Sequence, residues 1–368
     1  MSSRLLVGTR KGLFRIQPDA GGRWRISDTW FVGDPISMVL PETSGERIHV
    51  AQDLGHFGVK MQRSEDGGES WTERPTPAYP ERPEGLEDKN RMSGADVPWS
   101  TQLIWSLEQG GPDELWCGTI PGGLFRSTDG GDSWNLCRSL WDDPRRQEWF
   151  GGGFDFPGIH SICVDPRDAS HVTIAISCGG VWTTRDSGDS WTLIGQGLRN
   201  AYMPPEQAHD PVVQDPHRLT PCLTKPDRQW MQHHNGIFLS DDGGENFREL
   251  TDLPLGPFGF AVAVHPTDPD TAWFVPAQKD EQRVAVDARV AVTRTRDGGD
   301  SFEVLTQGLP QEHAYDLVYR HALDVDDAGE RLACGSTTGS LWVSDDQGDS
   351  WQTVGTHLPP VLCVRFER

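Results

Sequence analysis

The sequence predicts an all-β fold, a seven-bladed β-propeller whose blades are four-stranded antiparallel sheets. Three observations lead to this prediction. One eight-residue motif occurs six times along the chain. The 368 residues include 41 Gly and 27 Pro, which suit turns, and 15 Trp, which suit packing between sheets. The two ends of the chain together supply the strands of one further unit. Closed β architectures of this length occur as single units, so we expect residues 1–368 to form one domain.

Each copy of the motif has the form Ser/Thr-x-Asp-x-Gly-x-Ser/Asn-Trp/Phe. The aspartate carboxylate can accept hydrogen bonds from backbone amides two residues on, and glycine tolerates a positive φ, so the motif predicts a tight turn. The apolar run before the motif and the aromatic residue that ends it belong to the two strands of a hairpin. The six copies span residues 64–71, 127–134, 184–191, 240–247, 295–302 and 344–351.

Each blade is predicted to hold four strands, A to D from the axis outward, with the motif in the turn from C to D. Residues 4–31 provide only three strands, around a degraded motif at residues 18–24. The tail, residues 361–366, is an apolar strand without a hairpin partner. We therefore predict that the tail becomes the innermost strand of blade one and closes the ring, leaving no open sheet edge. Blades two to seven are predicted at residues 36–74, 102–137, 160–194, 219–250, 260–304 and 314–354.

The repeated octapeptide resembles the Asp box of the BNR-repeat propellers, a group that includes sialidases, sortilin-type receptors and photosystem assembly factors. The resemblance extends over almost the whole chain, and the chain looks similar to bacterial single-domain proteins described as BNR-repeat or sialidase-like glycosyl hydrolases. In that group the box is a structural fastener. The resemblance therefore implies a propeller fold, and it implies function only weakly because many functions share one fold.

Composition limits the partners of the protein. The formal net charge of -22 argues against nucleic acid and anionic membranes, since both require clustered Lys and Arg. Seven cysteines, an odd number without a Cys-x-x-Cys pair, are typical of buried reduced thiols. No apolar stretch is long enough to span a bilayer, and the amino terminus enters a strand without a signal-peptide pattern. We expect a cytosolic protein.

Four long insertions are predicted on one rim of the ring, opposite the motif turns, at residues 75–100, 140–159, 197–218 and 280–287. Long loops in a compact domain are usually functional. We expect them to cover the axial mouth and to form a pocket for a small polar molecule or glycan. The candidate ligand-binding residues on this rim are Arg10, His56, Trp149, Arg218, Asn235 and Gln278.

Histidines are concentrated on the same rim. Imidazoles from several blades can converge on a propeller axis and bind a divalent transition metal such as Zn, Cu, Fe or Ni. The candidate ligands are His160, His217, His234 and His313, with Asp215 or Asp316 as a carboxylate. The alternative is that each histidine only contacts a neighbouring loop, since no His-x-His or His-Glu-x-x-His spacing supports metal binding.

A second chemistry is glycoside hydrolysis, which needs two carboxylates about 5 to 9.5 Å apart. Asp53, Asp215 and Asp316 are the catalytic candidates, and the resemblance to sialidases implies a tyrosine nucleophile, for which Tyr315 is the candidate. The sialidase Phe-Arg-Ile-Pro motif is altered here: residues 14–18 read Phe-Arg-Ile-Gln-Pro and fall on an outer strand. This departure argues against sialidase activity itself.

Two functional interpretations follow. The first is an enzyme that processes a sugar or another small polar molecule, as a hydrolase or lyase, in a His- and Asp-rich axial pocket, with or without a metal. The second is a non-catalytic propeller that scaffolds a protein partner through its aromatic insertion. The first requires a polar pocket beneath the loops, whereas the second requires an exposed apolar patch made by Trp141, Trp149 and Phe154.

Overall fold

Seven antiparallel sheets form the computed structural model, which describes residues 4–367. The first three residues, which enter the expectation about the amino terminus, lie outside the described part together with Arg368. Six sheets have four strands and one has five, so the predicted seven-bladed propeller is confirmed. Among the described residues, helix is limited to α1 (Arg138–Trp141) and the 3-10 turns Gly55–Phe57, Pro144–Glu148, Pro211–Val213 and Val286–Ala288. None of these described helices is long and apolar enough to cross a membrane.

The strands of blades one to three, in chain order, are β1 (Leu5–Thr9), β2 (Gly12–Pro18), β3 (Trp24–Trp30), β4 (Ile36–Pro41), β5 (Ile48–Asp53), β6 (Val59–Ser64), β7 (Thr72–Arg74), β8 (Leu103–Gly111), β9 (Glu114–Ile120), β10 (Leu124–Ser127) and β11 (Asn135–Leu136). Blades four and five contain β12 (Ile159–Asp165), β13 (Asp168–Ile176), β14 (Gly180–Thr184), β15 (Thr192–Ile194), β16 (Pro216–Cys222), β17 (Lys225–His233), β18 (Gly236–Ser240) and β19 (Arg248–Leu250). Blades six and seven contain β20 (Gly259–Val264), β21 (Ala272–Lys279), β22 (Gln282–Ala285), β23 (Val292–Thr295), β24 (Glu303–Leu305), β25 (Leu323–Val325), β26 (Leu332–Gly335), β27 (Leu341–Ser344) and β28 (Gln352–Gly355). The last strand is β29 (Val361–Phe366).

The ring closes as the sequence predicts. β29 pairs antiparallel with β1, with Leu5 opposite Phe366, so that the tail is the innermost strand of blade one. Arg15 Nε donates to Glu367 Oε1 at 2.7 Å, and both of these side chains are buried. A paired strand thus takes the place of an exposed edge at the junction of the two chain ends.

The core lies between neighbouring blades. One buried apolar cluster joins Ala175 and Val181 of blade four to Leu219, Met231 and Phe238 of blade five. Comparable clusters join the other pairs of adjacent sheets. Each sheet therefore buries both faces against its neighbours, which explains the need for one large aromatic or aliphatic set per blade.

Blade seven differs from its predicted bounds. Its innermost strand is only Leu323–Val325, whereas the sequence pattern placed the blade's start at residue 314. The preceding segment, from residue 306 to residue 322, contains no strand. Asp316 accepts hydrogen bonds from the hydroxyls of Ser336 (2.6 Å) and Thr338. A side chain that bonds to a neighbouring loop competes with ladder pairing.

The six repeated turns share one hydrogen-bond network. In the copy at residues 127–134, Ser133 donates through its backbone amide (2.8 Å) and its hydroxyl (2.6 Å) to the two carboxylate oxygens of Asp129. The Ser127 hydroxyl donates to the same carboxylate at 2.8 Å and accepts from the Gly131 amide at 2.8 Å. Gly131 has φ 89°, a backbone conformation that favours glycine. The other five copies repeat these contacts.

These turns predict a decline of stability in acid. Hydrogen bonds from serine lower the pKa of Asp66, Asp129 and Asp186 from 3.8 to about 2. A carboxyl group whose pKa is lower in the folded state stabilises the fold above its unfolded pKa, and that stabilisation is lost as the pH falls through the folded pKa. We expect the melting temperature of the wild type to fall as the pH is lowered from 4 to 2. The melting temperature of Asp129→Asn should be lower than that of the wild type at pH 4 and should fall less steeply over this range. Thermal unfolding followed by circular dichroism at several pH values in this range measures these melting temperatures.

The exposed carboxylate Asp252, which lies outside the repeated turns, provides the control. An Asp252→Asn variant should keep the wild-type pH profile. Identical acid profiles for Asp129→Asn and the wild type would contradict a stabilising role of the turn carboxylates.

Candidate functional site

The innermost strands share one irregularity that directs side chains towards the axis. In six of the seven blades, pairing between strands A and B skips one residue near the start of strand A. Such a bulge redirects the extra side chain and bends the strand. We call these the bulge positions. In blade order from one to six they are Leu362, Ser37, Trp105, His160, His217 and Phe260, the last sharing its bulge with Ala261.

A cavity of about 450 Å³ is lined by three of the bulge positions, Leu362, Ser37 and Trp105. Its wall comes from the loops after strand B in blades one and two, the insertion before blade four, the hairpin of blade six and the irregular segment before β25. The cavity is large enough for a small organic ligand. The residues that line it include Arg10, Ser37, Asp53, Trp105, Gly152, Gly153, Phe154, Arg283, Tyr319, Arg320, His321 and Leu362.

Arg320 is the most deeply buried charge in this wall, with 6% of its surface exposed. Its guanidinium lies 4.7 Å from the Trp105 ring centroid and 5.1 Å from that of Phe260. Burial lowers the pKa of Arg320 from 12.5 to about 10, so the side chain stays positively charged at neutral pH. A stacked cation of this kind gives the cavity a positive wall.

A second group of polar residues lies behind the cavity. Asp215, His217 and His234 each offer one atom that could bind a metal ion, and these three atoms lie within 4.8 Å of one another. His234 Nδ1 is 3.3 Å and His217 Nε2 is 3.8 Å from Asp215 Oδ2. We call these three residues the Asp215 cluster. They come together because β16 begins and β17 ends at the same rim of blade five.

Asp215 is held by donors from three further residues. The Cys178 amide donates to Oδ1 at 3.3 Å, the Ser177 hydroxyl to Oδ1 at 3.5 Å and the Tyr202 hydroxyl to Oδ2 at 3.3 Å. Burial alone would raise the pKa of Asp215, but the hydrogen bond with His234 opposes burial, and the pKa lies below 3.8. Burial and the Asp215 charge raise the pKa of Tyr202 and Cys178, so both remain protonated.

His217 has its tautomer fixed by the backbone. Its Nδ1 lies 2.6 Å from the Gly259 carbonyl oxygen, which can only accept, so Nδ1 carries the proton. Burial holds the pKa of His217 well below 6.5, and the ring is neutral. The Nε2 lone pair therefore faces the Asp215 carboxylate. An imidazole held by a backbone carbonyl on one nitrogen, with the other nitrogen beside a carboxylate, is the usual arrangement of a metal ligand.

The cavity and the Asp215 cluster share a thin wall. Gly152 lines the cavity, and a Cβ atom at this position would lie 2.7 Å from Cys178 Sγ, 2.8 Å from Ser177 Oγ and 3.2 Å from Asp215 Oδ1. Phe260 stacks on His217 at 4.4 Å and also contacts Arg320. Only a residue without a side chain fits at 152, which brings the insertion before blade four close to the cluster.

The predicted metal ligands are only partly brought together. His217 and His234 join Asp215, whereas His160 and His313 do not belong to the group of converging atoms. His160 is buried, with Nδ1 2.9 Å from Ser161 Oγ and its ring 5.4 Å from that of Trp105. His313 is exposed in the segment before blade seven. The four-histidine set is therefore replaced by two histidines and one aspartate.

The predicted catalytic residues occupy different environments. Asp53 lines the cavity, and Asp215 lies behind it. Asp316 is buried against Ser336 and Thr338, which occupy its carboxylate. Tyr315 is 59% exposed and is absent from the described cavity wall, where Tyr319 lies instead.

Of the predicted ligand-binding residues, Arg10 lines the cavity. Arg218 lies deeper and donates to the His160 carbonyl oxygen and to His321 Nδ1. The other four mainly hold loops or pack in the core. His56 contacts the Phe57 ring, and Trp149 is buried against Trp182. The side-chain Oδ1 of Asn235 accepts from the Ala201 amide, and the side-chain Oε1 of Gln278 accepts from the Asp287 amide.

Several residues of the site were not predicted. Arg320 and His321 belong to the segment that the pattern assigned to the first strand of blade seven, where alternation gives no sign of a cavity. Trp105 occupies a bulge position, which sequence spacing does not show because the loops before the repeated turns differ in length. Tyr202 lies in the insertion at residues 197–218, so the long loop itself was the available signal.

Fold and site together define a seven-bladed propeller with an axial cavity on its loop rim and a buried carboxylate–imidazole group beside it. No family model matches the chain. The chain is 25% identical over 410 residues to the oligoxyloglucan-reducing end-specific xyloglucanase of Emericella nidulans, covering 97% of this chain and 46% of that protein. It is 24% identical over 359 residues to the photosystem II assembly lipoprotein Ycf48 of Synechococcus sp., covering 94% of this chain and 83% of that protein.

The chain thus spans less than half the length of the xyloglucanase that it matches. Among solved structures, an ancestral GH74 enzyme is similar with a TM-score of 0.58 and 16% identity, over 86% of this chain and 38% of that one. This likeness concerns the fold. The chain is a distant relative of proteins from two classes, a glycoside hydrolase and an assembly factor.

Proposed function

We propose that the chain is a sialidase-like or glycosyl-hydrolase-like enzyme that processes a sugar or another small polar molecule in the axial cavity, with a divalent transition metal held by the Asp215 cluster. The observation that carries the proposal is the cavity of about 450 Å³ whose wall at Gly152 lies against Asp215. The six turns are proposed to be Asp boxes of the BNR type, because they share one Ser–Asp network. The cytosolic location stays a prediction.

The cavity wall suits a sugar ring. Trp105 and Phe154 offer aromatic faces to the apolar side of a ring, and their own rings lie 5.0 Å apart. Arg10, Asp53 and Arg283 offer hydrogen bonds to hydroxyl groups at the cavity surface. The relation to a xyloglucanase supports a glycan ligand.

The arrangement of carboxylates favours a metal over a carboxylate pair. Among the described residues that line the cavity, Asp53 is the one carboxylate, and Asp316 is bonded away from it. Two facing carboxylates, the requirement for glycoside hydrolysis without a metal, are therefore not assembled in this wall. Asp215, His217 and His234 would hold a divalent cation, which would supply a Lewis acid beside the cavity. Asp53 is then placed to accept or return a proton at the substrate.

The metal can be tested by elemental analysis of the purified, untagged protein. We expect a near-stoichiometric transition metal in the wild type and little in His234→Ala, which removes a partly exposed ligand. His171 lies in a buried pair with Asp165 outside the cavity (Nδ1 to Oδ2, 3.2 Å), so His171→Asn serves as the matched control and should keep the metal. Turnover in a screen of glycosides and sugar lactones should follow the metal content.

Absence of metal in the wild type, even after incubation with Zn²⁺, Mn²⁺, Fe²⁺ and Ni²⁺, would contradict the proposal that the Asp215 cluster binds a metal. Loss of metal in both histidine variants would indicate general unfolding, which melting curves of the same samples detect. Turnover that is unchanged in His234→Ala would separate the reaction from the cluster.

A protein-binding function is the second candidate, because the chain aligns with 83% of the length of Ycf48. The aromatic patch that this function requires is reduced, however, since Trp141 and Trp149 are each 2% exposed and only Phe154, at 48%, reaches the surface. A scaffold of this kind should lose its partner on Phe154→Asp while keeping its melting temperature. Co-purification of partners from the source cell lysate, compared between the wild type and Phe154→Asp, measures this loss.

A further inference from the structure

The cavity wall contains a buried guanidinium without a bonded partner. Arg320 Nε and Nη2 are both buried, and neither has a hydrogen-bond partner among the described residues. The flanking rings of Trp105 and Phe260 provide stacking but no acceptor. Burying a charged donor without an acceptor is destabilising, so such groups are rare unless a ligand completes them.

The neighbouring His321 adds a further unpaired donor. Arg218 Nη1 lies 3.0 Å from His321 Nδ1, and since a guanidinium can only donate, Nδ1 is the acceptor. The neutral ring therefore carries its proton on Nε2. This Nε2 is buried and also lacks a partner among the described residues. The unpaired buried atoms of Arg320 and His321 are thus all donors.

The charged side chains in the cavity wall are also mostly positive. Three arginines, Arg10, Arg283 and Arg320, line the cavity beside the carboxylate of Asp53. This excess of positive charge occurs in a chain with a formal net charge of -22. Arg283 already donates from Nε to Asp280 Oδ1 at 3.0 Å, which leaves Arg320 as the lining arginine with a buried unpaired edge.

We infer that the axial cavity binds a molecule that carries a carboxylate group, which accepts hydrogen bonds from Arg320 and His321. The planar edge of a guanidinium, formed by Nε and Nη2, matches the two oxygens of a carboxylate. Both Arg320 and His321 belong to the cavity wall, so a ligand in the cavity lies next to these two side chains. The inference rests on the proposed function in that it names the substrate class, acidic sugars such as uronic acids.

Isothermal titration of the full chain with matched probes tests the inference. The probes are D-glucuronate, D-glucose, D-glucose 6-phosphate and benzoate. We expect glucuronate to bind at least about 10-fold more tightly than glucose, because a charge-assisted bidentate contact is worth that much or more. Arg320→Gln should remove the preference. Arg138→Gln, which changes an exposed arginine paired with Asp142, should leave the preference unchanged.

Melting curves of the same variants distinguish binding from packing. Because Arg320→Gln removes a buried charge without a partner, its midpoint should stay close to the wild-type value or rise. A merely structural arginine would instead lower the midpoint on substitution and leave glucuronate affinity unchanged in Arg320→Lys, which overturns the inference. Arg320→Lys keeps the charge and loses the planar edge, so we expect an affinity between those of the wild type and Arg320→Gln.

The four probes separate this inference from the proposed function. If glucose and glucuronate bind equally well, the inference that the ligand carries a carboxylate is wrong, and the proposed sugar-processing function is unaffected. Binding of benzoate as tight as that of glucuronate, lost in Arg320→Gln, supports the carboxylate and contradicts the sugar. Binding of glucose 6-phosphate alone, or no binding of either carboxylate up to about 10 mM, overturns the inference.

Discussion

A chain that ends at residue 360 is expected to be unfolded or aggregated at room temperature. The truncation removes β29, which leaves β1 with an open edge although all five of its residues are buried. It also removes four buried apolar side chains, those of Val361, Cys363, Val364 and Phe366. At about 1.5 to 3 kcal/mol for each buried apolar side chain, the loss is about 6 to 12 kcal/mol. This equals most of the stability of a typical protein, which is about 5 to 15 kcal/mol.

Circular dichroism and size-exclusion chromatography measure the outcome. A chain that lacks only residue 368 provides the control and should behave as the wild type. A synthetic peptide of residues 360–368, added in trans, should restore folding because it supplies the missing strand. A truncated chain that keeps the wild-type melting temperature would show that the ring does not depend on this strand.

Replacement of Asp215 is expected to have the largest effect on activity. Asp215→Asn keeps the shape of the side chain but removes the charge that faces His217 and His234. If the proposed function holds, we expect the protein to fold, to lose the proposed metal and to lose the proposed activity by more than the factor of about 100 typical of substitutions beside a metal ligand. Asp215→Ala should in addition destabilise the fold by about 3 kcal/mol or more, because the buried Cys178 amide and the Tyr202 hydroxyl lose their acceptor.

Asp165 offers a matched control. It is a buried carboxylate that contacts His171 and Arg167 outside the cavity. Asp165→Asn should lower stability while metal content per folded molecule and turnover stay at the wild-type level. If Asp215→Asn also keeps metal and turnover, the cluster is a structural hydrogen-bond network and not a metal site.

The fold was predictable because its information is local and repeated. Six copies of one turn gave the number of complete blades, and the missing innermost strand at the front matched the unpaired apolar strand at residues 361–366. The start of blade seven was not predictable. There, Asp316 bonds across to Ser336, a contact between residues 20 positions apart that leaves no trace in apolar periodicity.

The sequence could predict on which rim of the propeller the site lies, but not how its side chains are arranged. The ends of neighbouring strands had to lie together, and this brought Asp215, His217 and His234 to one place. The direction of each side chain was not predictable, because a bulge reverses the alternation of strand residues at the positions that matter. His160 and His217 occupy equivalent bulge positions, yet one packs beside Trp105 and the other joins Asp215. Arg320 was missed because it lies where no regular strand forms.

The bulge positions also determine how readily this frame acquires new specificities. Each bulge adds one side chain near the start of the innermost strand, and antiparallel pairing continues on both sides of it. Six side chains of very different character, from serine to tryptophan, already occupy these positions within one chain. A combinatorial library confined to the three that line the cavity, Leu362, Ser37 and Trp105, can alter the ligand preference one blade at a time. Descendants of such a chain can diverge in what they recognise by single substitutions, with every loop inherited intact.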